Sequence, residues 1–346
     1  MKIKKLTALL LSAVLVLGLT GCIGNLYENV CTVDGTDISA GLYQMAQYSA
    51  YNEALNKRAD TEKSVWDQKI EDKNATDWVR DRTEVLVRRY VAVQRLARTH
   101  GVSVSTEGQE SIEQLMSYWY ILEENYTKMG VAQQTVYRYM SNEDLGRQLM
   151  QKVYAEGGEL YVPDDELRQA YSEKYARLSF LTIPTTTSDG ADLKDEVLAE
   201  LDKILAALDG GKTMADVAGG KEFVDLYKLL ERDYDATTGA DGIQKSYLAY
   251  EQDNNQLYSE EFLASLREEK VGDFGYYLTM DGARVILYER IPTFADDSEF
   301  ADMRSNIITD LKTDEYEAWL AEIYDAYPVD WALGARWYFG PKSVGS

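Results

Sequence analysis

Basic residues, histidine and cysteine are all scarce in this chain of 346 residues. Lys and Arg number 36 against 59 Asp and Glu, giving a formal net charge of −23. A nucleic-acid surface needs clustered cations that displace phosphate counterions, so the charge balance excludes nucleic acid as a partner. It equally excludes a polybasic grip on anionic lipid. One histidine and two cysteines leave a Cys/His zinc site without its ligands, so no metal site and no cofactor are expected. Ser/His/Asp catalysis would have to run through that single imidazole, His100, which reads as a residue at a helix C-terminus before Gly101. Five prolines and 24 glycines do not make a low-complexity or collagen-like chain. No P-loop glycine pattern appears. The acidic clusters Asp164-Asp165-Glu166 and Asp296-Asp297 read as first-turn helix acids rather than catalytic carboxylates.

What is present begins with an address. Lys2, Lys4 and Lys5 precede an apolar run, Leu6–Leu19, too short to span a bilayer but the right length for a signal-peptide core. The run closes on Leu19-Thr20-Gly21-Cys22, which resembles a bacterial lipobox. That resemblance implies a signal peptide over residues 1–21, lipidation of Cys22 with acyl chains such as palmitate, and a lipoprotein on the extracytoplasmic face of the cell membrane. Each buried CH₂ of an acyl chain contributes ~0.8 kcal/mol, so two or three chains hold a domain firmly. Removing residues 1–21 removes three lysines and takes the formal charge from −23 to −26. Cys31 is then the only free thiol and reads as a small apolar residue on a strand.

Along the mature chain, Val30 to Ser39 reads as a hairpin turning at Asp34-Gly35 and leading into a helix capped by Ser39. A polar stretch over 56–73 reads as a loop or an exposed helix. Trp78, Val85, Leu86, Tyr90, Val93 and Ala97 repeat with helical spacing up to Gly101. Thr106-x-x-Gln109 has the form of a capping box, and Ile112, Leu115, Met116, Trp119, Leu122 and Tyr126 predict one continuous helix behind it. A third helix is expected over 133–156 and a short one over 164–175. A strand is then expected over 177–183, a helix over 193–208, and a helical piece near 222–232. A loop over 233–242, a helix over 259–267 and two strands, 274–279 and 283–289, follow. A long helix over 296–327 and a strand at Pro328–Trp331 close the pattern.

This order resembles the extracytoplasmic foldases and chaperones of the PrsA/SurA type. Val33-Asp34-Gly35-x-x-Ile38-Ser39 is similar to that family's opening hairpin, and Gly101-Val102-x-Val104-Ser105 to the link after its long helix. Val162-Pro163-Asp164-Asp165-Glu166-Leu167 to Tyr175 resembles the entry to its parvulin domain, and Asp195–Leu208 with Gly210-Gly211-Lys212 a segment within it. The resemblance implies a predominantly helical α+β fold. A SurA-like helical chaperone domain, 22–160 with 293–335, surrounds a parvulin-like β-α-β-β insert over 161–292, and 336–346 forms a tail.

Family members that isomerise prolyl bonds carry histidines in the first and last strands of that insert. Here Ser179 and Phe180 stand in the first strand, and Arg284 takes the second histidine's place in the last, so the insert reads as a degenerate parvulin-like domain with no catalytic residue assigned. With 26 tyrosines and six tryptophans, the chain has rigid contact area suited to varied unfolded segments. The helix over 112–126 is the expected binding wall, with Tyr118 and Tyr120 flanking its buried stripe. Asp233-x-Asp235 with Gly239 resembles a calcium loop, but Gln244 stands where a bidentate Glu is needed. The function expected is a membrane-anchored chaperone or foldase holding unfolded or newly exported polypeptides without prolyl isomerase catalysis. An active peptidyl-prolyl cis-trans isomerase of parvulin type is the alternative. A surface-assembly or ligand-binding lipoprotein on the same scaffold is a second, and a homodimer is left open.

Overall fold

The computed structural model describes residues 27–251 and 257–344. The apolar run Leu6–Leu19 and the lipidation residue Cys22 lie outside the described residues. The fold is α+β and predominantly helical. Its strands are β1 (Asn29–Val33), β2 (Thr36–Ser39), β3 (Lys69–Ile70), β4 (Lys73–Asn74), β5 (Tyr175–Pro184), β6 (Gln244–Ala249), β7 (Phe274–Leu278), β8 (Arg284–Ile291) and β9 (Val329–Trp331). Among the described residues no helix is long and apolar enough to cross a membrane. The chain divides into two compact units, with the cuts after Tyr161 and after Leu311, so the second cut falls inside the long helix Asp297–Tyr324 rather than at residue 292.

In the first unit, Asp34 and Gly35 take left-handed φ of 45° and 75°, the geometry a two-residue hairpin between right-twisted strands requires. The resulting hairpin, β1 with β2, gains a third strand from the far end of the sequence. β9 pairs antiparallel with β1, Cys31 opposite Trp331, giving the sheet order β2-β1-β9. Ser39 caps the helix Ala40–Lys57 by accepting the Leu42 N–H at 3.3 Å. That helix and the helix Ala75–Thr99 pack on the sheet around Val33, Ile38, Tyr43, Val87 and Val91. Between them a polar stretch forms the small hairpin β3–β4, which with Val65 and Trp78 closes a second core cluster. The helix Gln133–Val153 completes the bundle, and Tyr316 donates from its buried Oη to the Gly146 carbonyl at 3.0 Å.

Besides the β3–β4 hairpin, which stands where a loop or an exposed helix was expected, three expectations change in this unit. The helix expected over 112–126 is two, Thr106–Ser117 and Trp119–Lys128, because the backbone at Tyr118 tightens into i→i−3 bonds without losing the side-chain period. The cap is Ser105, not Thr106: its Oγ accepts the Gly108 N–H at 2.9 Å. The residues read as a tail are structured to Val344, with Ala335 and Phe339 inside the core of the sheet and bundle.

The second unit holds a four-stranded antiparallel sheet in the order β6-β5-β8-β7. Alternate residues of β5 and β8 point to opposite faces. Leu181, Ile183, Val285 and Leu287 pack beneath the helices Lys194–Asp209, Met214–Ala218 and Lys221–Leu229. Leu178, Ile286 and Tyr288 pack beneath the helix Glu260–Glu268. One strand was not expected: β6 is an edge strand whose first three residues, Gln244, Lys245 and Ser246, are exposed, so its sequence lacks the apolar alternation that announces a half-buried strand. The start of the long helix belongs to this unit through Arg177–Glu299, Arg304–Asp164 and Lys174–Asp310 ion pairs, and through Arg168, whose guanidinium lies 3.8 Å from the Phe300 ring centroid.

Candidate functional site

The helices Thr106–Ser117 and Trp119–Lys128 form an arm that buries little. Gly108 and Ile112 are the buried residues of the first, and the second has none. Its root is fixed by Asp144 on the helix Gln133–Val153. This carboxylate accepts the Ser105 N–H at 2.8 Å and its hydroxyl at 3.2 Å, and the Arg147 guanidinium at 3.0 Å. In a capping box the third helical residue returns a bond to the cap N–H. Here that position is Gly108, and Asp144 supplies the bond from another helix. A Cβ at Gly108 would come within 2.4 Å of the Asp144 carboxyl, so the glycine makes room for it. Sequence reading missed Asp144, because nothing local connects residues 105 and 144.

Beside the arm lie two adjoining clefts, each of about 330 Å³. Leu122, Tyr126 and Met129 with Tyr48 and Val344 line the first, and Ala40, Gln44, Gly130, Tyr338 and Phe339 the second; Lys128, Met129 and Ser343 line both. Trp119 stacks on Tyr126 with centroids 5.7 Å apart, and Tyr48 meets the same ring edge-on at 6.2 Å. The far wall is the C-terminal segment, held by Gln47, which donates to the Phe339 carbonyl at 3.0 Å and accepts from Ser343 Oγ at 3.3 Å. Three residues earlier on the same helix, Gln44 is 8% exposed and its buried Oε1 accepts no hydrogen bond. Aromatic, leucine and methionine side chains mixed with Asn125, Thr127, Lys128 and Ser343 suit a flexible segment that carries both apolar side chains and main-chain polar groups. Tyr118 and Tyr120 are 49% and 74% exposed and line neither cleft; Ile121 beside them is also exposed. The groove residues that sequence reasoning missed were Gln44, Met129 and the segment 338–344. The helical period of Leu122 and Tyr126 was the signal available.

In the second unit Ser179, Phe180 and Arg284, the positions that the resemblance singled out, are not gathered at one point. Ser179 is buried on the face covered by three helices, with Leu181 and Ile183. Phe180 shares the opposite face with Arg284, but Phe180 pairs with Tyr288 and Arg284 with Pro184, about 13 Å along the strand. That face carries an aromatic cluster: Phe262 stacks on Tyr277 at 4.1 Å and meets Tyr288 edge-on at 5.6 Å. The Tyr288 hydroxyl donates to Glu269 Oε1 at 2.7 Å, and burial pushes the Glu269 carboxyl above the usual carboxylate range. Gly275 permits this packing, since a Cβ there would lie 2.6 Å from the Tyr288 hydroxyl.

The remaining singled-out residues have local roles. Cys31 is buried on β1, its thiol pushed up to about 12 by burial and then by Glu84. His100 lies 3.5 Å from Glu159 at the end of its helix. Asp235 accepts from the Thr237 N–H at 2.9 Å and hydroxyl at 2.6 Å, closing its own turn.

No family model matches the chain, and no curated protein sequence does. Among solved structures it is similar to the foldase PrsA of Lactococcus lactis, at 12% identity and a TM-score of 0.38 over 89% of this chain and 96% of that one. The foldase PrsA of Streptococcus pneumoniae gives 14% and 0.35 over 76% and 90%. A structure of the SurA-like chaperones of Campylobacter jejuni, PEB4 and Cj1289, gives 10% and 0.27 over 88% and 99%.

Proposed function

We propose that this chain is a chaperone, anchored through lipidated Cys22 on the extracytoplasmic face of the membrane, that holds unfolded or newly exported polypeptides in the groove beside the helix Trp119–Lys128. The observation that carries the reading is the groove itself: Leu122, Tyr126, Met129, Tyr338 and Phe339 line it beside the polar Asn125, Lys128 and Ser343. A client buries apolar side chains there at about 25 cal/mol per Å² and meets polar partners for its main chain in Asn125, Lys128 and Ser343. The formal charge of −26 for the mature chain speeds encounter with basic segments, over a range of ~8 Å at physiological salt. The sheet unit serves as a binding or structural partner without prolyl isomerase catalysis, since its first strand offers Leu178, Ser179 and Phe180 but no histidine, and Arg284 stands where the second would be.

The test is suppression of thermal aggregation of an unfolded client by the mature chain. Leu122→Asp with Met129→Asp places charge in the groove; suppression should fall several-fold while the circular dichroism spectrum is kept. Equal suppression by the variant sinks the groove as the holding surface. In the same samples prolyl cis–trans exchange should keep its uncatalysed time of tens to hundreds of seconds. A rate increase lost on changing Arg284 would establish the isomerase instead.

A further inference from the structure

Leu333 and Trp337 are 96% and 88% exposed, the highest values for large apolar side chains among the described residues. They stand four residues apart across the turn that opens the short helix Ala335–Tyr338, while Ala335 and Phe339 of the same segment are buried in the core. The segment is thus pinned by one side and offers leucine and tryptophan on the other. Its position relative to the start of the described chain is fixed. Tyr27 Oη donates to the Leu333 carbonyl at 2.7 Å, and the Tyr27 ring lies 5.6 Å from that of Tyr338.

Tyr27 is five residues from Cys22. Five residues span at most about 18 Å fully extended, so a lipidated Cys22, with its sulfur at headgroup level and its acyl chains in the hydrocarbon, keeps Tyr27 within that distance of the membrane surface. An acyl anchor at Cys22 therefore holds Leu333 and Trp337 beside the headgroup region, where tryptophan is favoured because its ring is amphipathic. Local charge agrees. From Ala332 to Ser346 the sequence carries Arg336 and Lys342 and no Asp or Glu, in a chain with 59 acids; Arg336 faces Glu84 at 3.5 Å, so the segment is weakly basic. The acidic remainder is repelled by an anionic leaflet, so this basic segment is the side that such a surface tolerates.

We propose that Leu333 and Trp337 form a docking face that seats in the interfacial layer of the membrane, with the lipid bilayer as its occupant; this rests on the reading of Cys22 as the lipid anchor. The face sets the orientation of the anchored molecule as well as its distance from the membrane.

The test couples the mature chain through Cys22 to a maleimide-headgroup lipid in phosphatidylcholine vesicles; buried Cys31 is spared. Phosphatidylcholine with brominated acyl chains then quenches tryptophans that reach the membrane. Quenching of the parent should exceed that of Trp337→Phe several-fold, and tethering should shield Trp337 from iodide. Equal bromolipid quenching of parent and variant overturns the docking face. Shielding from iodide without vesicles, growing with protein concentration, assigns the face to a second copy and also overturns it. The mass of the Cys22 peptide from cell-made protein reads the anchor separately: an unmodified Cys22 overturns anchor and docking together, whatever the tethered chain does.

Discussion

The sheet unit and the arm of the helical unit use their aromatic residues in opposite ways. In Val162–Leu311, tyrosine hydroxyls are bound inward: Tyr234 to the Ala218 carbonyl, Tyr247 to the Thr293 carbonyl, Tyr276 to Asp202 and Tyr288 to Glu269. Both faces of the sheet are covered, and the ring stacks lie within those covers. In the other unit the arm leaves Tyr118, Tyr120 and Ile121 to solvent, and Leu122, Tyr126 and Met129 line a cleft, the last two also packing on the edge of the core. Closed packing gives rigidity; an arm with few buried contacts opens at lower cost. The difference places adaptable apolar surface on the helical unit and leaves the sheet unit as a stable frame, which is where the proposed holding groove belongs.

The comparison can be broken most sharply at the frame. Phe223→Ala removes a fully buried ring that packs on Tyr227 and Tyr234 at centroid distances of 6.3 and 5.7 Å. The loss should be about 3–5 kcal/mol in urea unfolding. A loss under about 1 kcal/mol would show that this face is not a packed core. The root of the arm comes next. Asp144→Asn keeps the volume but leaves the Ser105 cap poorly matched, at about 1–3 kcal/mol. Amide exchange across 105–117 should accelerate while that of the helix Lys194–Asp209 stays unchanged; uniform acceleration would mean the arm does not open on its own.

A smaller effect separates two carboxylates within the frame. Burial raises the Glu269 carboxyl, so the native state keeps its proton to higher pH than the unfolded chain. Stability from this group falls as pH rises above the ordinary glutamate value of ~4.3. The Glu299 carboxyl is lowered, chiefly by the Ala295 N–H and also by Arg177, so its contribution is present above that value and is lost as pH falls through its folded pKa. Glu269→Gln should therefore stabilise at pH 7 and become neutral in acid. Glu299→Gln should destabilise at pH 7, with its deficit shrinking in acid. Parallel pH profiles for the two variants would contradict these environments. The smallest change in stability is expected for Tyr118→Ser with Tyr120→Ser, within about 0.5 kcal/mol because both rings are exposed. Client holding should weaken if a client seated in the groove extends over the outer face of the arm, where both rings are exposed; unchanged holding confines clients to the clefts. A large drop in melting temperature with holding intact would assign these rings to the core.

Much of the fold was legible locally. The Asp34-Gly35 turn, the Ser39 cap, the Gly101 stop and the long helices follow from backbone freedom at particular residues and from apolar period, and neither needs a distant partner. β6 escaped because an edge strand with one covered end carries no alternation. The break at Tyr118 escaped because a one-residue tightening keeps the side-chain period. Of the candidate site, Leu122 and Tyr126 could be read as one helical stripe. Whether that stripe closes a core or lines a cleft depends on what stands opposite, and the opposing wall is Tyr338–Val344, more than 200 residues away in the sequence.

By itself the sequence determined the charge, the absence of a Cys/His metal set, most of the helices and strands, and the lack of any histidine over 161–292, because each depends on composition or on neighbours within a few residues. Only the tertiary structure decided that β9 pairs with β1, that Asp144 completes the cap at Ser105, that Gln44 keeps an unused acceptor in a cleft, and that Leu333 and Trp337 face outward beside Tyr27. Each of these joins residues dozens to hundreds of positions apart, where a hydrogen bond or an exposed ring is fixed by the packing of whole elements and leaves no local pattern to read.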